Sequence, residues 1–358
     1  MDQLLDEIKV TVVIPTYNRC DMITKAITSV QNQTMKEWKL LIIDDGSVDG
    51  TEEVVSDITC EDQRISYYRM PVNSGQAHAL NTALQMVTTK YMIQLDSDDW
   101  LENHTLERLV TAMENQPETT AMAYGNYTVW SPRKKFVERL RPFLNQHKYE
   151  FISYGPTLCP RFYRTDCLRA VGGWDTHDKY GGRFVEDRRI MYKLLGNYDF
   201  LWLDERLYNI NRMVNKNSQL TRHVQACNEV KREAILATLH NWGGEYVPQF
   251  SKFRGGWLKT ELIPKQRLLN LSRRKARRRV KMKLLRQRRL RGLRKTQQRK
   301  EIRPVGKIRP VRKKRGIRKL LLTRRLRKSE KSQRSQRFPG MIRSSKRTVR
   351  RRAKKRTG

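Results

Sequence analysis

Four short segments carry residue types suited to phosphate and hydroxyl chemistry. Asp96-Ser97-Asp98-Asp99 crowds three carboxylates together, and like charges so close are costly unless a cation or proton is shared among them. Mg2+ or Mn2+ held there would absorb the charge that develops on a departing diphosphate; the competing reading is a solvated acidic turn capping the next helix. Asp44-Asp45-Gly46-Ser47 offers a carboxylate able to accept a hydrogen bond from a base N–H, with Gly46 allowing a tight turn beside a ligand, although the same residues also make ordinary turns. Pro15-Thr16-Tyr17-Asn18-Arg19 supplies a ring for a base and a cation for a phosphate. Glu186-Asp187 either takes the proton of an attacking hydroxyl or stabilises a helix N-terminus.

The elements that must position these groups alternate. Val10 to Ile14 is a β-branched run stopped by Pro15, and Lys39 to Ile43 and Tyr91 to Leu95 are apolar runs that end in acids. Helices are expected over Asp21 to Gln31, from Thr51 and over Ala77 to Met86, with a short strand at Ile65 to Tyr68. This rhythm predicts an α/β fold, a mostly parallel sheet with helices on both faces. Ligands of such sheets bind outside the carboxyl ends of the strands, where the polar segments converge. Further on, a helix is expected at Leu106 to Met113, a strand at Ala121 to Val129, loops over 131–160, a strand entering a helix over Arg161 to Ala170, and helices at Phe184 to Leu195 and Ala226 to Leu239.

Taken in order, the motifs resemble the family 2 glycosyltransferases of GT-A fold. Val12-Val13-Ile14-Pro15-Thr16-Tyr17-Asn18-Arg19 is similar to that family's opening strand and donor loop. Leu41-Ile42-Ile43-Asp44-Asp45-Gly46-Ser47-Val48-Asp49-Gly50-Thr51 is similar to its second signature, and Asn73-Ser74-Gly75 with Ala79 and Asn81 to the helix that follows. Gln94-Leu95-Asp96-Ser97-Asp98-Asp99 resembles its DxD metal motif, Val171-Gly172-Gly173-Trp174-Asp175 its acceptor-side turn, and Glu186-Asp187 its ED pair. The resemblance spans roughly residues 9 to 225. It implies that Pro15, Thr16, Tyr17, Arg19, Asp45, Gly75, Asp96 and Asp98 bind a nucleotide-sugar donor, UDP-linked by preference. It implies a divalent metal at Asp98 or Asp99, Asp187 as the base of an inverting displacement, and Trp174, Asp175 and Glu186 near an unidentified acceptor. One departure is that Gln76, Ala77 and His78 stand where the family often has a basic residue, which leaves the phosphate contacts open.

Charge divides the chain. Residues 265–358 hold 43 Lys and Arg against Glu301 and Glu330, a net +41, whereas residues 1–264 carry −2. Three regions are expected: a catalytic domain over 1–225, a helical extension over 226–264, and a Lys/Arg-rich tail over 265–358, disordered or transiently helical because like charges repel. Such a tail calls for an anionic partner, either a polyanion (nucleic acid or an anionic polymer) or an anionic membrane surface. Phe338 is its sole aromatic residue, so stacking readout of bases is not expected. Leu284, Leu285, Leu290 and Leu293 could form the apolar face of a basic helix lying on a membrane. Five cysteines without a CxxC pair point to reduced thiols in the cytoplasm. No signal peptide is read in the acidic Met1 to Lys9, and no apolar run approaches the ~20 residues of a membrane span; any membrane contact would be peripheral. Two other classes were weighed. A nucleotidyltransferase would want a Gly-rich basic loop after the first strand, and Thr16 to Asp21 has no glycine. A non-enzymatic polyanion binder on a degenerate scaffold would have no need of the acids, and all are present.

Overall fold

The computed structural model describes residues 8–155, 157–213 and 222–301. The first apolar run forms β1 (Val10–Thr16), in which every residue is buried; a strand covered on both faces needs a continuous apolar run rather than an alternation. α1 (Ile23–Gln31) turns Ile23, Ala26, Ile27 and Val30 into the core, the spacing of one helix face. β2 (Trp38–Asp44), α2 (Thr51–Glu61), β3 (Ile65–Arg69), α3 (Gln76–Met86) and β4 (Tyr91–Gln94) follow. β1 pairs parallel with both β2 and β4, and β2 pairs parallel with β3. Parallel neighbours require crossovers, which the helices supply.

Beyond β4 the sheet becomes mixed. β5 (Trp100–Leu101), α4 (Thr105–Glu114), β6 (Thr120–Trp130), β7 (Lys135–Glu138), α5 (Lys148–Tyr154), β8 (Cys159–Arg164), α6 (Thr165–Ala170), α7 (Glu186–Leu195) and β9 (Asp199–Asn211) complete it. The strand order is β3-β2-β1-β4-β8-β6-β9-β5, with β7 paired to β6. β8 lies antiparallel to both β4 and β6, while β6 and β9 run parallel. This is the expected α/β architecture of GT-A type, a parallel half that presents strand ends and a mixed half that closes beside it.

Several elements differ from the sequence reading. Residues 131–160 were expected to be loop, yet they contain β7 and α5. β9 was not foreseen, because its centre, Asp204-Glu205-Arg206, is polar and partly solvent-facing. The segment 226–264 is not wholly helical: α8 (Val224–Asn241) is followed by β10 (Tyr246–Lys252) and β11 (Leu258–Pro264), an antiparallel hairpin. Residues 265–301 form one continuous helix, α9 (Lys265–Glu301), where at most transient helicity was expected. At ~100° per residue, Leu285, Leu293 and Leu290 lie about 100°, 180° and 240° around the axis from Leu284, so these four exposed leucines do not share a face. Among the described residues, no helix is long and apolar enough to cross a membrane. All five cysteines are free.

Candidate active site

The ends of β1 and β2 meet the start of α3 through backbone hydrogen bonding. Asp45 is 4% exposed, and its two carboxylate oxygens accept the N–H groups of Ser74 and Gly75, each at 2.7 Å. Burial raises its pKa, and those two N–H groups partly offset the rise. Gly46 and Gly75 have φ of 76° and 102°. A Cβ on Gly46 would stand 3.0 Å from the Asn73 backbone nitrogen, so the Asp45 turn and the Asn73 turn pack backbone to backbone. Asn18, at φ 52°, ties its loop to the same turn: its N–H donates to Ser47 Oγ at 2.8 Å and its Oδ1 accepts from Val48 N–H at 2.9 Å. Asp44 faces elsewhere, accepting from the Tyr67 hydroxyl at 2.5 Å.

This framework forms one wall of a cleft of about 670 Å3, lined by Pro15, Thr16, Tyr17, Arg19, Asp45 and Gly75. Asp96 and Asp99 line it after β4, and Glu186 and Asp187 at the start of α7. Carboxylates separated by up to some 140 residues of chain therefore share one cavity. Asp96 accepts a 2.6 Å ion pair from Arg161 of β8, a guanidinium only 5% exposed, and a 3.2 Å hydrogen bond from Gln94. Asp99 is buried and accepts the Asn211 N–H at 2.7 Å. Burial, then the neighbouring Asp96 and Asp98 carboxylates, push its pKa well above the usual range. Asp98 departs from expectation. It does not line the cleft, because residues 96–99 form a turn closed by the Asp99 N–H on the Asp96 carbonyl (3.0 Å), and successive side chains of a turn splay apart. Among the described residues, no group of three or more His, Cys, Asp or Glu is arranged to hold a metal ion.

α7 begins after Val185, which adopts φ 60°. A β-branched residue in the left-handed region stores strain, of order 1–3 kcal/mol, and it does so at the junction that delivers Glu186 and Asp187. Glu186 still reaches the cleft but is densely ringed by protein. Burial, and then the Asp187 charge, push its pKa up to about 8. Asp187 accepts the Arg188 N–H at 2.7 Å.

Of the three residues expected beside the acceptor, Glu186 lines the cleft, whereas Trp174 and Asp175 lie outside its lining. Trp174 is 2% exposed and packs edge-on to Tyr163, ring centres 5.9 Å apart. Asn81 clamps its backbone, donating to the Trp174 carbonyl at 2.8 Å and accepting its N–H at 2.9 Å. Asp175 pairs with Lys193 at 3.0 Å and Arg189 at 3.5 Å. The Gly-Gly-Trp-Asp turn thus fastens α7 to α3 and does not face the cavity. Sequence reasoning missed the cations of the cleft, Arg161, Arg183, Arg188, Arg212 and Lys231. A signal existed for Arg161, a charge set between Cys159-Pro160 and Phe162-Tyr163 in β8; the others lie in ordinary polar surroundings.

Comparison with known proteins bears on the fold and on the family that the first half of the chain resembles. Residues 11–172, somewhat under half of the chain, match the family described as "Glycosyl transferase family 2". Glycosyltransferase GlyA of Streptococcus pneumoniae serotype 4 is 27% identical over 215 residues, covering 59% of this chain and 29% of that protein. The putative teichuronic acid biosynthesis glycosyltransferase TuaG of Bacillus subtilis is 33% identical over 153 residues, covering 42% of this chain and 56% of TuaG. The chain therefore spans well under two thirds of either relative. The crystal structure of S. aureus TarS 1-349 in complex with UDP-GlcNAc is 19% identical with a TM-score of 0.52, covering 64% of this chain and 66% of that one, a likeness of fold.

Proposed function

We propose that this chain transfers a sugar from a nucleotide-sugar donor, UDP-linked by preference, to an acceptor hydroxyl with inversion. The supporting observation is the convergence of Asp45, Asp96, Asp99 and Asp187 on one cleft. The UDP preference leans on the ligand of the TarS complex. Tyr17 lies against the nucleobase, and Asp45, with lone pairs left over after Ser74 and Gly75, accepts a base N–H. Asp96, held by Arg161, accepts a ribose hydroxyl. Asp187 takes the acceptor proton as the oxygen attacks the anomeric carbon, on the face opposite the departing diphosphate, which inverts that centre. Glu186, with its raised pKa, keeps its proton near neutrality and leaves the role of base to its neighbour.

A divalent ion fits the donor set. Asp96 and Asp99 are hard oxygen ligands lining one cleft, and Mg2+ binds through one or two carboxylates plus phosphate oxygens rather than a full protein cage. Asp99 would hold Mg2+ or Mn2+ together with phosphate oxygens, and the ion would neutralise charge on the leaving diphosphate. Residues 265–358 engage a polyanion in this reading. The exposed leucines of α9 form no single apolar face, which favours a charged polymer over a membrane surface. Incubating the chain with a panel of nucleotide sugars and Mn2+ tests the activity: binding and turnover of one donor is expected, and absence of both for every donor overturns it. Truncation after Pro264 is expected to spare transfer to a soluble acceptor, whereas Asp187→Asn abolishes it. A phenotype that follows the tail alone would instead assign the protein to polyanion binding.

A further inference from the structure

Among the described residues Arg161 alone of the six cations of the cleft has a carboxylate partner within ion-pair distance, and two of the others, Arg188 and Lys231, come from α7 and α8. Arg188 follows Asp187 in the first turn of α7. Its guanidinium donates to the Gly155 carbonyl, and its Nη1 is buried without a hydrogen-bond partner. Lys231 comes from α8, and its Nζ donates to the Leu258 carbonyl at 3.0 Å. Both line the cleft, beside Trp257 and Leu258 of the hairpin region. Burial, and then the charge of Arg188, lower the Lys231 pKa to about 8, so the two cations feel one another. Arg161 and Arg183 are differently placed. Asp96 answers the first, and the side chain and carbonyl of Asn73 answer the second. Two half-buried like charges side by side cost free energy that a bound anion recovers. A guanidinium with a free N–H next to an ammonium matches the several oxygens of a phosphate.

The position of the pair narrows what that phosphate belongs to. The wall that carries Tyr17 and Asp45 comes from β1, β2 and α3. The wall that carries Arg188 and Lys231 comes from α7 and α8, immediately after the residue placed as the base. We propose that Arg188 and Lys231 seat a phosphate group of the acceptor, making that acceptor a phosphate-bearing alcohol. This rests on Asp187 as the base of the proposed transfer.

Lys231→Gln removes the charge and keeps an N–H for the Leu258 carbonyl. Binding of glycerol 3-phosphate, in the presence of saturating UDP, is measured by calorimetry on the full chain and on this variant. The unchanged basic tail then cancels in the comparison. Glycerol phosphate is expected to bind about tenfold more weakly to Lys231→Gln, as loss of one charge-assisted contact implies, with UDP affinity within about twofold of the parent and Lys231→Arg restoring the phosphate. A loss seen with glycerol phosphate assigns the seat to a soluble or polymeric phosphate. A loss seen only with vesicles of phosphatidylglycerol in phosphatidylcholine assigns it to a lipid headgroup. Equal affinities of parent and variant for both probes overturn the seat. An equal loss of UDP and glycerol phosphate also overturns it, because the cations would then serve the donor. Failure of the parent to bind UDP strikes the glycosyltransferase reading separately.

Discussion

The two walls of the cleft are built on opposite principles. On the donor wall, loops at strand ends are held by their own backbone: Asp45 caps the Ser74 and Gly75 N–H groups, and Gly46 packs on Asn73. The Asp45 carboxylate and the Ser74 and Gly75 N–H groups are thus paired with one another, while Thr16 Oγ1 is buried without a hydrogen-bond partner. On the opposite wall the functional groups ride on α7 and α8, and several are left in tension. Val185 is strained, Glu186 is pushed toward its neutral form, and neither Arg188 nor Lys231 has an ion-pair partner among the described residues. The donor wall is thus a preformed cradle, and the far wall stores unfavourable charge that substrate can relieve. Preorganisation of the first kind lowers the cost of binding, while groups of the second kind are those a reaction can use.

This contrast can be broken at specific residues. The largest effect is expected for Asp187→Asn, a loss of about 10²–10⁴ in kcat with nucleotide affinity unchanged, read by steady-state kinetics and UDP titration. An equal loss of UDP binding would show that the far wall also holds the donor. Next is Asp96→Asn, which leaves the Arg161 guanidinium buried and unpaired. Breaking a buried pair costs about 3–5 kcal/mol, and because Asp96 is 30% exposed about 2 kcal/mol is expected from denaturant midpoints. Gly75→Ala follows. Its φ of 102° and the Arg183 Cγ at 2.8 Å from the added Cβ predict a loss of about 1–2 kcal/mol and a raised donor KM with kcat little changed. Chelation of divalent ions tests the centre between the walls. Transfer should fall to background and return with Mn2+, and activity that persists in a chelator would remove the metal from the proposal.

The smallest effect concerns Glu186. Its folded pKa is raised from 4.5 to about 8, so between those values the folded state binds more protons than the unfolded state. Stability contributed by this group is fully present below its unfolded pKa and is lost as pH rises through the folded one. Glu186→Gln should therefore flatten the decline: its melting temperature relative to the parent rises between about pH 5 and pH 9. A difference that stays constant over that range would mean that Glu186 is already ionised.

Legibility followed the same division. The donor wall was readable because each of its parts is local: a β-branched run, a turn with glycine at the required position, and acids at the strand end. Pro15, Tyr17 and Asp45, at strand ends that the pattern marks, line the cleft, and so does Gly75, which only the family resemblance had singled out. Asp98 was misplaced because spacing says nothing about how a tight turn splays its side chains. Trp174 and Asp175 were read as acceptor contacts from a motif, yet they face α3 and α7. That orientation is fixed by the Asn81 clamp, which acts across more than ninety residues of chain. The hairpin of β10 and β11 was read as helix because the inward positions of its strands include Pro248 and Thr260, so the alternation in their burial is not one of apolar and polar residues.

From the sequence alone came the parallel α/β half, the positions of the acids and the segregation of positive charge into residues 265–358, since these depend on local periodicity, turn chemistry and composition. The tertiary structure decided which acids share a cavity, which arginine neutralises Asp96, and that Arg188 and Lys231 line that cavity with no ion-pair partner among the described residues. Those outcomes depend on where distant elements pack. Electrostatic energy is set by separation through space and by burial, and neither quantity is written in the order of residues along a chain.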